Sequence, residues 1–172
     1  MRIILLLLIL LPVMDTRAQP QYKQMRGKDT KDLVFIGQLS FYDLEKEPEF
    51  KWFNKGVDAY EPDEATIAYL KQHLKVYEIV TLIGTWCEDS HNLVPKLYKV
   101  LKQAGYPIKL HTLYALDIDK KGAYKEEEKY AIKSVPTIIL YKNNEEAGRI
   151  VETVSESIED DLKDIIEEFE RE

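Results

Sequence analysis

The chain has 172 residues, of which 45% are apolar and 32% charged, enough for one ordinary domain with its own core. A formal charge of −7 excludes nucleic acid as the default partner, since phosphate contacts need clustered Lys and Arg. The single cysteine, Cys87, excludes an intrachain disulfide, a cysteine-rich zinc site and a dithiol couple within one chain.

Arg2 precedes an apolar run from Ile3 to Leu11, too short to span about 30 Å of hydrocarbon as a helix. Thr16 and Ala18 then put small residues where a signal peptidase reads. We read residues 1–18 as a signal peptide cleaved after Ala18; an uncleaved anchor is the alternative. Cleavage leaves 154 residues with a net charge of −8 and no later apolar span, hence a periplasmic or secreted protein with no membrane-spanning segment. Residues 19–32 are polar and aperiodic, which predicts a flexible lead-in. The apolar run Leu33–Leu39 predicts a strand. Residues 41–60 carry Phe41, Tyr42, Phe50, Trp52, Phe53 and Tyr60 at no single period, which predicts helical turns and loop packed on the body.

Pro62-Asp63-Glu64 opens a helix ending near His73, with Ile67, Leu70 and Leu74 on one face. Val76 to Gly84 reads as a buried strand. It runs straight into Trp86-Cys87-Glu88-Asp89-Ser90 and a helix with Leu93, Leu97, Val100 and Leu101 at helical spacing, stopped by Gly105 and Pro107. Ile108–Leu116 predicts a strand, and Gly122–Ile132 a charged helix whose Glu126, Glu127 and Glu128 form a solvated face. Thr137–Tyr141 and Ala147–Val151 flank an Asn143-Asn144 turn, predicting an antiparallel pair. Ser157 followed by Asp160 resembles a capping box for a closing amphipathic helix with Leu162, Ile165, Ile166 and Phe169.

The chemistry gathers at Cys87. A sulfur where a buried strand feeds a helix sits near free N–H groups and the positive end of the helix dipole, which favour a thiolate. A thiolate is the form that attacks disulfides. Glu88 and Asp89 oppose a further negative charge. Ser90, three residues on, has a hydroxyl in reach of the sulfur but no sulfur with which to resolve a mixed disulfide. The bland alternative is a cysteine buried as a small hydrophobe. His91 shares a helix face with Cys87, but His73 and His111 lie outside the motif, so no metal site is assigned and His91 reads as solvated. Asp117 and Asp119 read as a strand end, not a cation site. The motifs call for no cofactor.

Trp86-Cys87-x-x-Ser90, Pro95 later in the helix, and Ser134-Val135-Pro136-Thr137 before a strand resemble the thioredoxin family over about residues 76–170. Gly84-Thr85-Trp86-Cys87, Asp89-Ser90, Val94-Pro95 and Gly148-Arg149-Ile150-Val151-Glu152 are similar to a branch of exported thioredoxin-like proteins of the Bacteroidota in which Ser holds the second position. The resemblance implies an α/β thioredoxin-like fold over residues 33–172: a central mixed sheet flanked by helices, an N-terminal extension at 33–75 and a core at 76–170. It implies Cys87 as nucleophile, Ser90 in the place of the resolving cysteine, and a cis bond before Pro136. Trp86, Asp89, Val135, Pro136 and Glu152 would line the substrate groove. The family's buried acid falls at Thr81, its accompanying lysine at Ala115 and a groove glycine at Glu152, so the proton acceptor for a second thiol is absent.

Two functions follow from different classes. One is monothiol thiol–disulfide exchange, oxidoreductase- or isomerase-like, acting on a protein disulfide or a low-molecular-weight disulfide with an outside thiol as resolver. The other is a non-catalytic module that binds a partner segment in the groove around Trp86, Pro136 and Glu152.

Overall fold

The computed structural model describes residues 21–27 and 31–171. The expected signal peptide, residues 1–18, lies outside them. Among the described residues six strands form one sheet, in the order β1-β2-β4-β3-β5-β6. They are β1 (Tyr22–Arg26), β2 (Leu33–Leu39), β3 (Glu78–Ile83), β4 (His111–Ala115), β5 (Thr137–Lys142) and β6 (Glu145–Val151). Only β3 and β4 pair in parallel; every other neighbouring pair is antiparallel. The sheet is mixed and carries helices, as the resemblance implies.

The helices are α1 (Phe41–Lys46), α2 (Lys51–Ala59), α3 (Glu64–His73), α4 (Glu88–Gln103), α5 (Glu126–Lys129) and α6 (Ile158–Phe169). Strand alternation divides the core. Phe35, Ile79, Ile83, Leu113, Ile138 and Leu140 point to one face and join the apolar sides of α1, α2, α3, α4 and α6 in the larger cluster. Val80, Leu82, Leu116, Val135 and Ile139 form a smaller cluster on the other face, with Trp86, Cys87 and Tyr130 packed against it. Asn143 and Asn144 take φ of 54° and 66°, the left-handed pair that a two-residue hairpin needs between β5 and β6. Ser40 caps α1 in a capping box with Asp43. The Asp63 carboxylate accepts from Thr66 N–H to start α3, and Ser157 Oγ accepts from Asp160 N–H to start α6.

Several expectations change. Residues 22–26, expected in a flexible lead-in, form β1, paired to β2 from Tyr22↔Gly37 to Arg26↔Leu33. Its residues are exposed apart from Tyr22, so no apolar alternation announces it; the edge of β2 recruits it through the backbone. The charged helix expected over 122–132 is a single turn, because Lys125 and Ala131 take left-handed φ of 64° and 51° on either side. Glu126 and Glu127 are buried, not solvated: their carboxylates accept the N–H groups of Tyr124 and Gly122 and hold the preceding loop. Ile108–Leu110 is a 3₁₀ turn, so the strand begins only at His111. Val76 is 62% exposed at the end of another 3₁₀ turn, and β3 starts at Glu78.

Candidate functional site

Cys87 is the N-cap of α4, with extended backbone (φ −94°, ψ 126°), and its N–H closes a turn onto Gly84 O at 3.0 Å. The turn converts β3 directly into α4. This puts the sulfur at the helix start, half-buried. Across from it, the bond between Val135 and Pro136 is cis. Cys87 Sγ lies 3.3 Å from Val135 O, the geometry of a thiol donating to that carbonyl. A thiolate cannot donate, so forming the nucleophile gives up this contact.

Glu152 N–H donates to Pro136 O at 2.9 Å, with Glu152 held at φ 61°. The proline loop, the end of β6 and the start of α4 therefore meet, and they bring together Trp86, Cys87, Val135, Pro136 and Glu152. Trp86 is pinned by its indole N–H, which donates to Leu116 O at 3.2 Å. Glu88 and Asp89 are exposed in the first turn of α4, where the dipole favours carboxylates.

Ser90 is fully buried, and its Oγ accepts Gly84 N–H at 3.2 Å. The serine thus secures the strand end behind the cysteine. Thr81, where the resemblance implies a buried acid, is also fully buried, with its Oγ1 2.9 Å from His111 Nε2. His111 lies parallel to the Phe41 ring at 4.6 Å. Burial keeps this imidazole neutral and pushes its pKa down to about 3. The side of the motif facing the larger core therefore carries a hydroxyl and a neutral ring.

His91 is not the solvated side chain that spacing suggested. Its Nε2–H donates to Thr85 O at 2.8 Å, and its ring stacks on Trp52 at 4.3 Å. Among the described residues, no three His, Cys, Asp or Glu side chains gather as metal ligands. Asp117 Oδ1 accepts Asp119 N–H and Lys121 N–H, which organises a loop beyond β4. A groove of about 330 Å³ runs between the N-terminal extension and the motif, with Glu49, Trp52, Trp86, Glu88 and His91 among its walls. Sequence reasoning missed Trp52, Thr85 and His111 as members of this neighbourhood. Their contacts span 30 to 50 residues and leave no local pattern.

The chain is 29% identical over 73 residues to Thioredoxin-1 of Saccharomyces cerevisiae, covering 42% of this chain and 65% of that one. It is 32% identical over 73 residues to a thioredoxin of Echinococcus granulosus, covering 42% and 63%. It thus spans a little under two thirds of the length of either relative. Among solved structures, thioredoxin O2 of Arabidopsis thaliana in its oxidized state superposes with a TM-score of 0.39 at 19% identity, over 60% of this chain and 82% of that one. Among the described residues no helix is long and apolar enough to cross a membrane. The family pattern named Thioredoxin matches residues 63–168 and so takes in α3 as well as the motif and the Pro136 loop. That span is more than half of the chain, and the chain belongs to the thioredoxin family.

Proposed function

We propose that this chain is an exported monothiol thiol–disulfide exchange protein, of the Bacteroidota-type branch that its motif resembles. The observation that carries the reading is the half-exposed Cys87 at the start of α4, facing the cis Val135–Pro136 bond. The Cys87 thiolate attacks one sulfur of a client or small-molecule disulfide. A bond forms from Sγ to that sulfur, the client S–S bond breaks, and the other sulfur leaves as a thiolate. The thiol proton of Cys87 passes to water beforehand. An outside thiol, as thiolate, then attacks the mixed disulfide and returns Cys87. No net electrons stay on the protein, which suits isomerisation and removal of small-thiol adducts. Trp86, Asp89, Val135, Pro136 and Glu152 form the groove in this reading, and Ser90 supports the strand end instead of resolving the intermediate.

The test is turnover of a mixed disulfide with a low-molecular-weight thiol in excess, wild type against Cys87→Ala. Wild type turns over and the variant does not; equal rates reject exchange. The contact of Cys87 Sγ with Val135 O favours one other reading, a partner-binding module whose thiol stays protonated. That reading predicts a client segment bound equally well by wild type and Cys87→Ala. Export is tested by the N-terminus of protein recovered from intact cells. Cleavage after Ala18 is expected, and an N-terminus at Met1 would sink it.

A further inference from the structure

Cys87 is flanked in sequence by two residues that the N-terminal extension grips. On one side is Thr85, 3% exposed. Its Oγ1 accepts Phe35 N–H at 3.1 Å and donates to Leu33 O at 3.2 Å. The strand register explains this grip. Gly37 pairs with Ala115, the last residue of β4, so Phe35 and Leu33 lie beyond the end of β4. Thr85 satisfies ladder groups of β2 that have no strand beside them on the β4 side. On the other side is His91, whose backbone N–H donates to Cys87 O at 3.0 Å. Its Nε2–H donates to Thr85 O at 2.8 Å, closing a clasp around the cysteine. Trp52 of α2 stacks on the His91 ring at 4.3 Å and 19° between planes. One turn along α2, Gly56 meets Pro95 of α4 so closely that an added Cβ would lie 2.7 Å from the proline side chain. Helix α2 is therefore seated on α4 with no slack where Trp52 meets His91.

We propose that the extension positions the nucleophile: Trp52, through His91, and β2, through Thr85, set how Cys87 is presented to the groove at Val135 and Pro136. The proposal rests on the exchange reading. None of Trp52, His91 and Thr85 reacts; they are positioning residues. A displacement of about 1 Å at a reacting atom costs up to about a hundredfold in rate. A clasp on both sides of the cysteine addresses that sensitivity.

The test uses the full chain and two probes with the same leaving group. One is a peptide whose single cysteine is disulfide-bonded to 2-thiopyridine; the other is 2,2′-dithiodipyridine. In each, Cys87 attacks the disulfide, and pyridine-2-thione leaves and is read by absorbance. The small probe reports the thiol itself, and the peptide reports the thiol as presented to the groove. The ratio of the two rates is expected to fall about tenfold in Trp52→Ala and in His91→Leu. It recovers to within about threefold in Trp52→Phe, which keeps a ring for the stack, and in His91→Gln, which keeps a donor for Thr85 O. Urea midpoints on the same samples establish that each variant is folded. An unchanged ratio in folded Trp52→Ala and His91→Leu overturns the proposal, as does an equal fall in all four variants. If Trp52→Ala does not fold, His91→Leu against His91→Gln decides it. If wild type shows no Cys87-dependent turnover with excess thiol, exchange itself fails, and the ratio in the stoichiometric first step still decides the positioning claim.

Discussion

Lowering the pH from 7.5 to 5.0 should destabilise this protein chiefly through one residue, His111. Its ring lies between Phe41 and the Thr81 hydroxyl and is held neutral by burial, with a pKa near 3 against 6.5 for a free imidazole. The folded pKa is the lower one, so between these values the unfolded chain binds a proton that the folded chain refuses. Stability is complete above about pH 6.5 and drains as pH falls towards 3, at a slope approaching about 1.4 kcal/mol per pH unit. Integration from pH 7.5 to 5.0 gives a loss of about 2 kcal/mol. The residue keeps some exposed surface, so this is the upper end. Asp63, Glu127 and Glu170 act in the same direction, since backbone N–H donors or Lys142 lower their pKa values, and they are common to wild type and variant in the comparison below. The assay is urea unfolding followed by tryptophan fluorescence at both pH values, for wild type and His111→Gln. Gln can still hydrogen-bond Thr81 but does not titrate. Wild type should lose about 2 kcal/mol more than the variant over this interval. Equal losses would refute the assignment of a neutral, enclosed ring.

Other outcomes follow from single contacts. Replacing Gly56 by Ala puts a methyl 2.7 Å from the Pro95 side chain and should cost about 1–3 kcal/mol, read as a lower urea midpoint; an unchanged midpoint would show that α2 and α4 have slack. Glu159 accepts Tyr60 O–H at 2.6 Å and Asp63 N–H at 2.9 Å, tying α6 to the end of α2 and the start of α3. Glu159→Leu strands both donors and should cost about 1–3 kcal/mol, whereas Glu159→Gln, which keeps an acceptor, costs less; equal costs would contradict this. Ser90→Cys supplies a second thiol three residues from Cys87 and should let the protein reduce insulin in the presence of dithiothreitol, at a stability cost of about 1 kcal/mol for the lost bond from Gly84 N–H. A folded Ser90→Cys variant that leaves insulin intact would show that the two positions do not meet a client disulfide together.

Legibility in the sequence tracked how local the cause of each element is. Helices α4 and α6 follow from apolar spacing, α6 with a capping serine besides, and the β5–β6 hairpin from two asparagines that tolerate positive φ. The cis bond at Pro136 came through the family resemblance carried by Val135-Pro136-Thr137. Strand β1 stayed hidden because its one half-buried member, Tyr22, stacks on Phe35 at 4.5 Å, a contact that no spacing encodes. The helix expected over 122–132 failed at two backbone positions, Lys125 and Ala131, that residue type does not forecast. At the site, Trp86, Cys87 and the proline loop were legible as a motif. The clasp of Thr85 and His91 was not, because its partners lie in β2 and α2.

These contacts also say on which side of the cysteine chemistry can occur. Reduction by a dithiol needs a second sulfur, and a proton acceptor behind the first speeds it. Here Ser90 Oγ is engaged with Gly84 N–H, and Thr81 Oγ1 with a ring that stays neutral down to about pH 3. Neither group can take a proton from an attacking thiol in the physiological range, and neither can form a disulfide. The inward side of the motif is thus committed to holding β3 and α4 in place. Exchange at Cys87, in the function proposed, must run from the outward side, where Glu88 and Asp89 stand exposed in the first turn of α4 and Glu152 closes onto Pro136 O, and the resolving thiol attacks as a thiolate, its proton already lost to water. Those carboxylates make charge the discriminating variable for the incoming thiol. An anionic thiol approaches against three like charges, and added salt should speed its reaction; a cationic thiol approaches with them, and salt should slow it. Resolution rates for the mixed disulfide, measured with mercaptoacetate and with cysteamine from low to high ionic strength, check this. Opposite salt responses that collapse in Glu88→Gln/Glu152→Gln are expected. Parallel responses would mean that the resolving thiol does not come in past these groups.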